Sequence, residues 1–147
     1  MGGSRKRNRS PDHEVGAQWD WNDGWILAAT LLVHKAGGAT LAEVIAAADA
    51  VNHAIPTTDD LSRAFSRLAD CGIVQIKNDR YLVARGRRRA VALSVTARGG
   101  LFSSADRCLK WLKTTGLEPP QSSATASLSD AEVRAAYESY RGWSKKR

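Results

Sequence analysis

The 147-residue chain reads as a mainly α-helical protein with one small β-hairpin and additional C-terminal helices. Three observations carry that reading. A stretch that is apolar nearly all round and two amphipathic stretches with apolar residues at i, i+3, i+4 and i+7 occupy residues 25–68. The period then drops to two over residues 73–95, and after Thr96 the helical period returns. The length suits one compact domain with tails. An apolar fraction of 43% beside a charged fraction of 25% is that of a globular protein and argues against wholesale disorder.

Residues 1–18 are polar and basic and are expected to form a disordered tail. The first helix has Asn22 or Asp23 as its cap and WILAATLLVHK, Trp25 to Lys35, as its body. That body is apolar nearly all round, as in a helix buried on every side, and Gly37-Gly38 ends it. Trp19 and Trp21 at its entrance, with Trp25, are expected to pack rather than to stack on bases.

A second helix starts at a capping box, Thr40-Leu41-Ala42-Glu43, and shows Leu41, Val44, Ile45 and Ala48 on one face. The turn at residues 52–56 breaks it at Pro56. A third begins at Thr57 or Thr58, with Asp59 and Asp60 at the positive end of its dipole and Leu61, Ala64, Phe65 and Leu68 inward. Short strands are expected at Ile73–Ile76 and Tyr81–Ala84 around Asn78-Asp79, and a further strand at AVALSV, where Val91, Leu93 and Val95 alternate. The next helix carries Leu101, Ala105, Cys108, Leu109 and Leu112 on one face and stops before Pro119-Pro120. The last opens at the capping box Ser129-Asp130-Ala131-Glu132 and shows Val133, Ala136, Tyr137 and Tyr140 on its apolar side. The units are therefore a tail (1–18), a main domain (19–118), a linker (119–128) and a C-terminal helix with a basic end (129–147).

The net charge of +7 is unevenly spread. Residues 1–10 carry +4, residues 11–76 carry −6, residues 77–98 carry +6 and residues 99–147 carry +3. An acidic body thus bears basic appendages, and those appendages make nucleic acid the first partner to consider.

Three helices with a short turn between the second and third, followed by a hairpin, is the winged helix-turn-helix arrangement. LSRAFSRLADCGIVQI resembles the recognition helix and first wing strand of MarR- and PadR-type regulators, and GRRRAVALSVTARG resembles the second wing strand of the MarR type. In that pattern Arg88 and Arg89 precede the alternating Val91, Leu93 and Val95, and Thr96 and Gly99 start a helix. DGWILAA through ADAVNHAIPTTDDL also resembles a bacterial family of small winged-helix proteins. The resemblance covers roughly residues 23–112. It departs from the pattern where Gly86 and Arg87 stand in place of an acidic residue, and where a short Trp-rich entrance replaces a long N-terminal helix.

The resemblance implies a cytoplasmic bacterial transcriptional regulator that binds double-stranded DNA. The third helix would present Thr57, Thr58, Ser62, Arg63, Ser66 and Arg67 to the major groove. The hairpin would bring Lys77, Arg80, Arg85, Arg87, Arg88 and Arg89 to phosphates. Against the first set, Asp59, Asp60 and Asp70 lie on the same helix, and Asp59–Arg63 and Arg67–Asp70 are spaced to pair with each other. The alternative is a winged-helix protein–protein interaction module without DNA binding. It gains ground if Arg63 and Arg67 are held by carboxylates. A homodimer is expected through Leu109, Leu112, Tyr137 and Tyr140 of the last two helices.

No phosphate loop, nucleophile elbow or carboxylate pair in apolar surroundings points to an enzyme. Cys71 and Cys108 are too few for a disulfide framework. With His34 and His53 they lack metal-ligand spacing, so no metal or other cofactor is expected. His34 reads as a satisfied buried imidazole and His53 as a turn residue. No apolar run approaches the length of a membrane span, and the basic N-terminus has no apolar segment behind it to make a signal peptide.

Overall fold

The computed structural model describes residues 18–96 and 100–145. The expected tail, apart from Gln18, lies outside them, as do residues 97–99 of the expected helix start and residues 146–147 of the basic end. The described chain is mainly helical with one two-stranded hairpin.

Helix α1 spans Trp21–Leu32. Its cap is Asp20 rather than Asn22 or Asp23. The Asp23 amide donates to Asp20 Oδ1 (3.1 Å) and the Asp20 amide donates to Asp23 Oδ2 (2.9 Å), a reciprocal box built from two aspartates. Residues 23–30 are all buried, and the helix stops at Leu32, three residues short of Lys35. Around it stand α2 (Leu41–Asn52), opened by the expected box of Thr40 with Glu43, and α3 (Thr58–Asp70), where Thr57 is the cap and Asp60, expected only to complement the dipole, closes a second box with it. His53 ends α2 in the left-handed region, at φ 54°.

Strands β1 (Val74–Lys77) and β2 (Arg80–Val83) pair antiparallel, Val74 opposite Val83 and Lys77 opposite Arg80. The two turn residues, Asn78 and Asp79, both have positive φ (53° and 60°), which suits the right-handed twist of a tight hairpin. Ala39, just ahead of α2, exchanges both backbone hydrogen bonds with Tyr81 at 2.9 Å. The Tyr81 ring in turn stacks on Phe65 of α3 at 4.3 Å, which ties the hairpin to the helices.

The strand expected at AVALSV is a helix, α4 (Arg85–Thr96). β2 already has β1 on one edge and Ala39 on the other, so a strand following it finds no partner there. The chain instead turns at once, with the Arg87 and Arg88 amides donating to the Ala84 carbonyl. In a helix Val91 and Leu93 no longer share a face: Val91 is fully buried and Leu93 is 63% exposed.

A short 3₁₀ turn (Leu101–Ser103) leads into α5 (Ser104–Thr114), which lies against α1. The approach is close because Gly24 has no side chain: a Cβ there would sit 2.4 Å from the Ala105 carbonyl oxygen. The final helix, α6 (Asp130–Lys145), opens at the Ser129–Glu132 box and packs on α2, where the Tyr140 hydroxyl donates to Asp49 Oδ2 at 2.7 Å. The residues expected to pair two protomers are thus used within one. Leu112 is fully buried, and Leu109, Tyr137 and Tyr140 pack against the same core. Trp19 and Trp25 belong to that core, while Trp21 is 37% exposed. Among the described residues no helix is long and apolar enough to cross a membrane.

Candidate nucleic-acid interface

The residues expected to meet nucleic acid fall on two surfaces, and the structure treats them differently. The first is the polar face of α3, which the chain itself covers. Residues 119–128, expected as a linker, run along it. The Ser62 hydroxyl accepts the Leu128 amide at 2.9 Å, and the buried Ser66 hydroxyl accepts the Ala126 amide at 2.8 Å. Asp70 accepts the hydroxyls of Ser123 and Thr125, which hold its carboxyl below the usual carboxylate range. Thr57 is spent on the helix cap, and Thr58 lines a groove between α3 and α6 with Ile55, Val133 and Tyr137.

The two arginines of α3 are also taken, by α1 rather than by aspartates of their own helix. Arg63 pairs with Asp20. Arg67, only 2% exposed, pairs with Asp23 at 3.1 Å, donates to the Gln18 and Pro120 carbonyls, and lies over the Trp19 ring at 5.7 Å. Asp23 is itself fully buried, with Oδ1 unpartnered. Burial pushes its carboxyl up to about 6, against the pull of the Asp20 amide and the Arg67 charge. This network joins residues too far apart in the chain to be read from local sequence pattern. Its one trace was the matched spacing of two acids at i, i+3 (Asp20, Asp23) and two arginines at i, i+4 (Arg63, Arg67).

The second surface runs from the hairpin tip into α4. Lys77 and Arg80 face each other across the last pair of the hairpin, both exposed, and Arg80 also donates to the Gly38 carbonyl at 3.3 Å. Arg85 and Arg89 are exposed, and Arg87 and Arg88 are half-buried. The arginines expected at a wing are therefore carried by the first turns of a helix, where their spacing is fixed. Asp79 is the one acid between residues 74 and 96. Among the described residues none of these six cations forms an ion pair with a carboxylate.

His34, at the end of α1, meets this surface. Its Nε2 lies in hydrogen-bond contact with Arg88 Nη1, while Nδ1 is buried without a partner, so the imidazole is not the satisfied one expected. Burial and the neighbouring Arg88 charge both depress its basicity. His53 is exposed, its ring 5.0 Å from that of Phe102. Cys108 is buried in the core and Cys71 is half-buried at the end of α3. Among the described residues no three His, Cys, Asp or Glu side chains come together to hold a metal ion.

In comparisons with protein-family models, curated proteins and solved structures, the chain matches none of them.

Proposed function

We propose that this chain is a winged-helix domain that binds double-stranded DNA through its backbone, led by the hairpin and α4 rather than by α3. On this reading it serves as a bacterial transcriptional regulator of the MarR/PadR kind that its sequence resembles. The order α1, α2, α3, β1, β2, with Ala39 pairing on β2, supports the winged-helix assignment. The single observation that carries the DNA reading is the set Lys77, Arg80, Arg85, Arg87, Arg88 and Arg89, interrupted by Asp79 alone and none of them paired with a carboxylate among the described residues. Guanidinium forks suit phosphate oxygens and carry no base information by themselves. The binding is therefore strongly salt-dependent and weakly selective, since most of the α3 residues that would read bases, Ser62, Arg63, Ser66 and Arg67, are bonded to other parts of the chain.

Anisotropy of a labelled duplex, titrated across salt, tests this. Each phosphate contact contributes about −0.9 to the log–log salt slope. Arg87, Arg88 and Arg89 changed together to Ala flatten the slope, whereas Arg63→Ala leaves it unchanged. An unaltered slope in the triple variant removes α4 from the mechanism.

One set of observations favours a second reading, a protein–protein interaction module. Arg63 and Arg67 are both held by carboxylates, and Leu93 and Phe102 are 63% and 65% exposed. A wild-type protein that binds no duplex at low salt selects this reading over the first.

A further inference from the structure

A cleft of about 320 Å³ opens between the end of α1, the hairpin and the first turn of α4. His34 and Ala36 line it from one side, Gln75, Leu82 and Val83 from the sheet, and Arg85 and Arg88 from α4. Its walls hold two guanidinium groups and an imidazole and no carboxylate. Arg88 is set against a ring that repels its charge when protonated, and the ring's other nitrogen is buried without an acceptor. Lys35, the next residue along, is turned to Glu43 at 2.6 Å, so that carboxylate is already engaged. The cleft therefore gathers donors and fixed positive charge and supplies no anion to meet them.

We propose that this cleft is a binding site for a phosphomonoester, with Arg85 and Arg88 clamping its oxygens, His34 holding Arg88 in place and Leu82, Val83 and Ala36 carrying its organic part. The charge count selects the ligand class. A phosphomonoester at neutral pH carries close to two negative charges, which two arginines balance, whereas an internal phosphodiester of DNA carries one. The site shares Arg85 and Arg88 with the DNA reading above but does not rest on it, since it requires the walls of the cleft and not the other cations of the surface.

The test uses the full chain and three simple probes: inorganic phosphate, glycerol 3-phosphate and dimethyl phosphate. Titration followed by the His34 ring signals in NMR is expected to saturate with the first two in the millimolar range, and with the diester about tenfold more weakly. The His34 pKa rises as the dianion fills the cleft, because a bound anion favours the imidazolium. Arg88→Met, which keeps the aliphatic stem, weakens binding about tenfold; Lys77→Met, outside the cleft, does not. A 5′-phosphorylated duplex that displaces phosphate better than its 5′-hydroxyl twin identifies the ester as a nucleic-acid end, and no such preference leaves a small molecule. Failure to saturate at about 20 mM phosphate, equal binding of the diester, or equal loss in Lys77→Met and Arg88→Met overturns the proposal. A chain that binds phosphate here yet no duplex refutes the DNA reading and leaves this one standing.

Discussion

Asp23 occupies a position where local and tertiary demands conflict. As the third residue of α1 it closes the capping box with Asp20, and as a fully buried group it faces Arg67 across 44 residues of sequence. Its carboxyl, raised to about 6 from 3.8, binds a proton in the native state at pH values where the unfolded chain has released it. Stability from this group is therefore complete below about pH 4 and is lost as pH rises through about 6, on the order of 3 kcal/mol in all. Urea unfolding across that window should show the decline, and Asp23→Asn should flatten it. Gly24, the next residue, is constrained by space alone. Gly24→Ala places a methyl group 2.4 Å from the Ala105 carbonyl oxygen and forces α1 and α5 apart. A loss of about 2–3 kcal/mol is expected in the same assay.

At the scale of elements, what could be read from sequence followed the range of the interaction. The boxes Thr40–Glu43, Thr57–Asp60 and Ser129–Glu132 are settled within four residues and stand where their sequences place them. The first helix misled because its capping pair is Asp–Asp, with Asn22 and Asp23 offering nearer alternatives. The run at 90–95 misled for a different reason. Alternation describes a strand only if an edge is free, and whether β2 has one depends on Ala39, some 50 residues upstream. The segment 119–128 reads as a linker by composition because its anchors are backbone amides and small hydroxyls, whose partners on α3 the sequence does not display. Its amides test this directly: those of Ala126 and Leu128, bonded to Ser66 and Ser62, should exchange with deuterium slowly, and Ser66→Ala should speed Ala126 selectively at a cost of about 1 kcal/mol.

For the molecule as a whole, the division between acidic body and basic appendages becomes a division of labour. The acids near the start of α1 neutralise the arginines of α3, whereas the cations of the hairpin and α4 are paired with no carboxylate among the described residues. The candidate site was thus half legible. The basic residues of 77–89 could be picked out by composition, but their placement on a helix, and the company of His34 from α1, required the fold. Raising salt should therefore weaken duplex binding steeply while leaving the fold's buried Asp23–Arg67 pair almost unaffected, because screening acts on exposed charges far more than on buried ones. Thermal unfolding and duplex anisotropy measured over one salt series should diverge accordingly.

The two hydrogen bonds between Ala39 and Tyr81 have a colloidal consequence as well as a topological one. A hairpin normally offers two rows of unsatisfied amides and carbonyls to any passing strand, and such rows seed fibrils. Here one row is closed at its centre by a single residue. The other belongs to a strand of four residues that ends in Lys77. Replacing Ala39 by proline would remove the donor to the Tyr81 carbonyl and reopen that side. The expected result is a chain that aggregates at concentrations its parent tolerates.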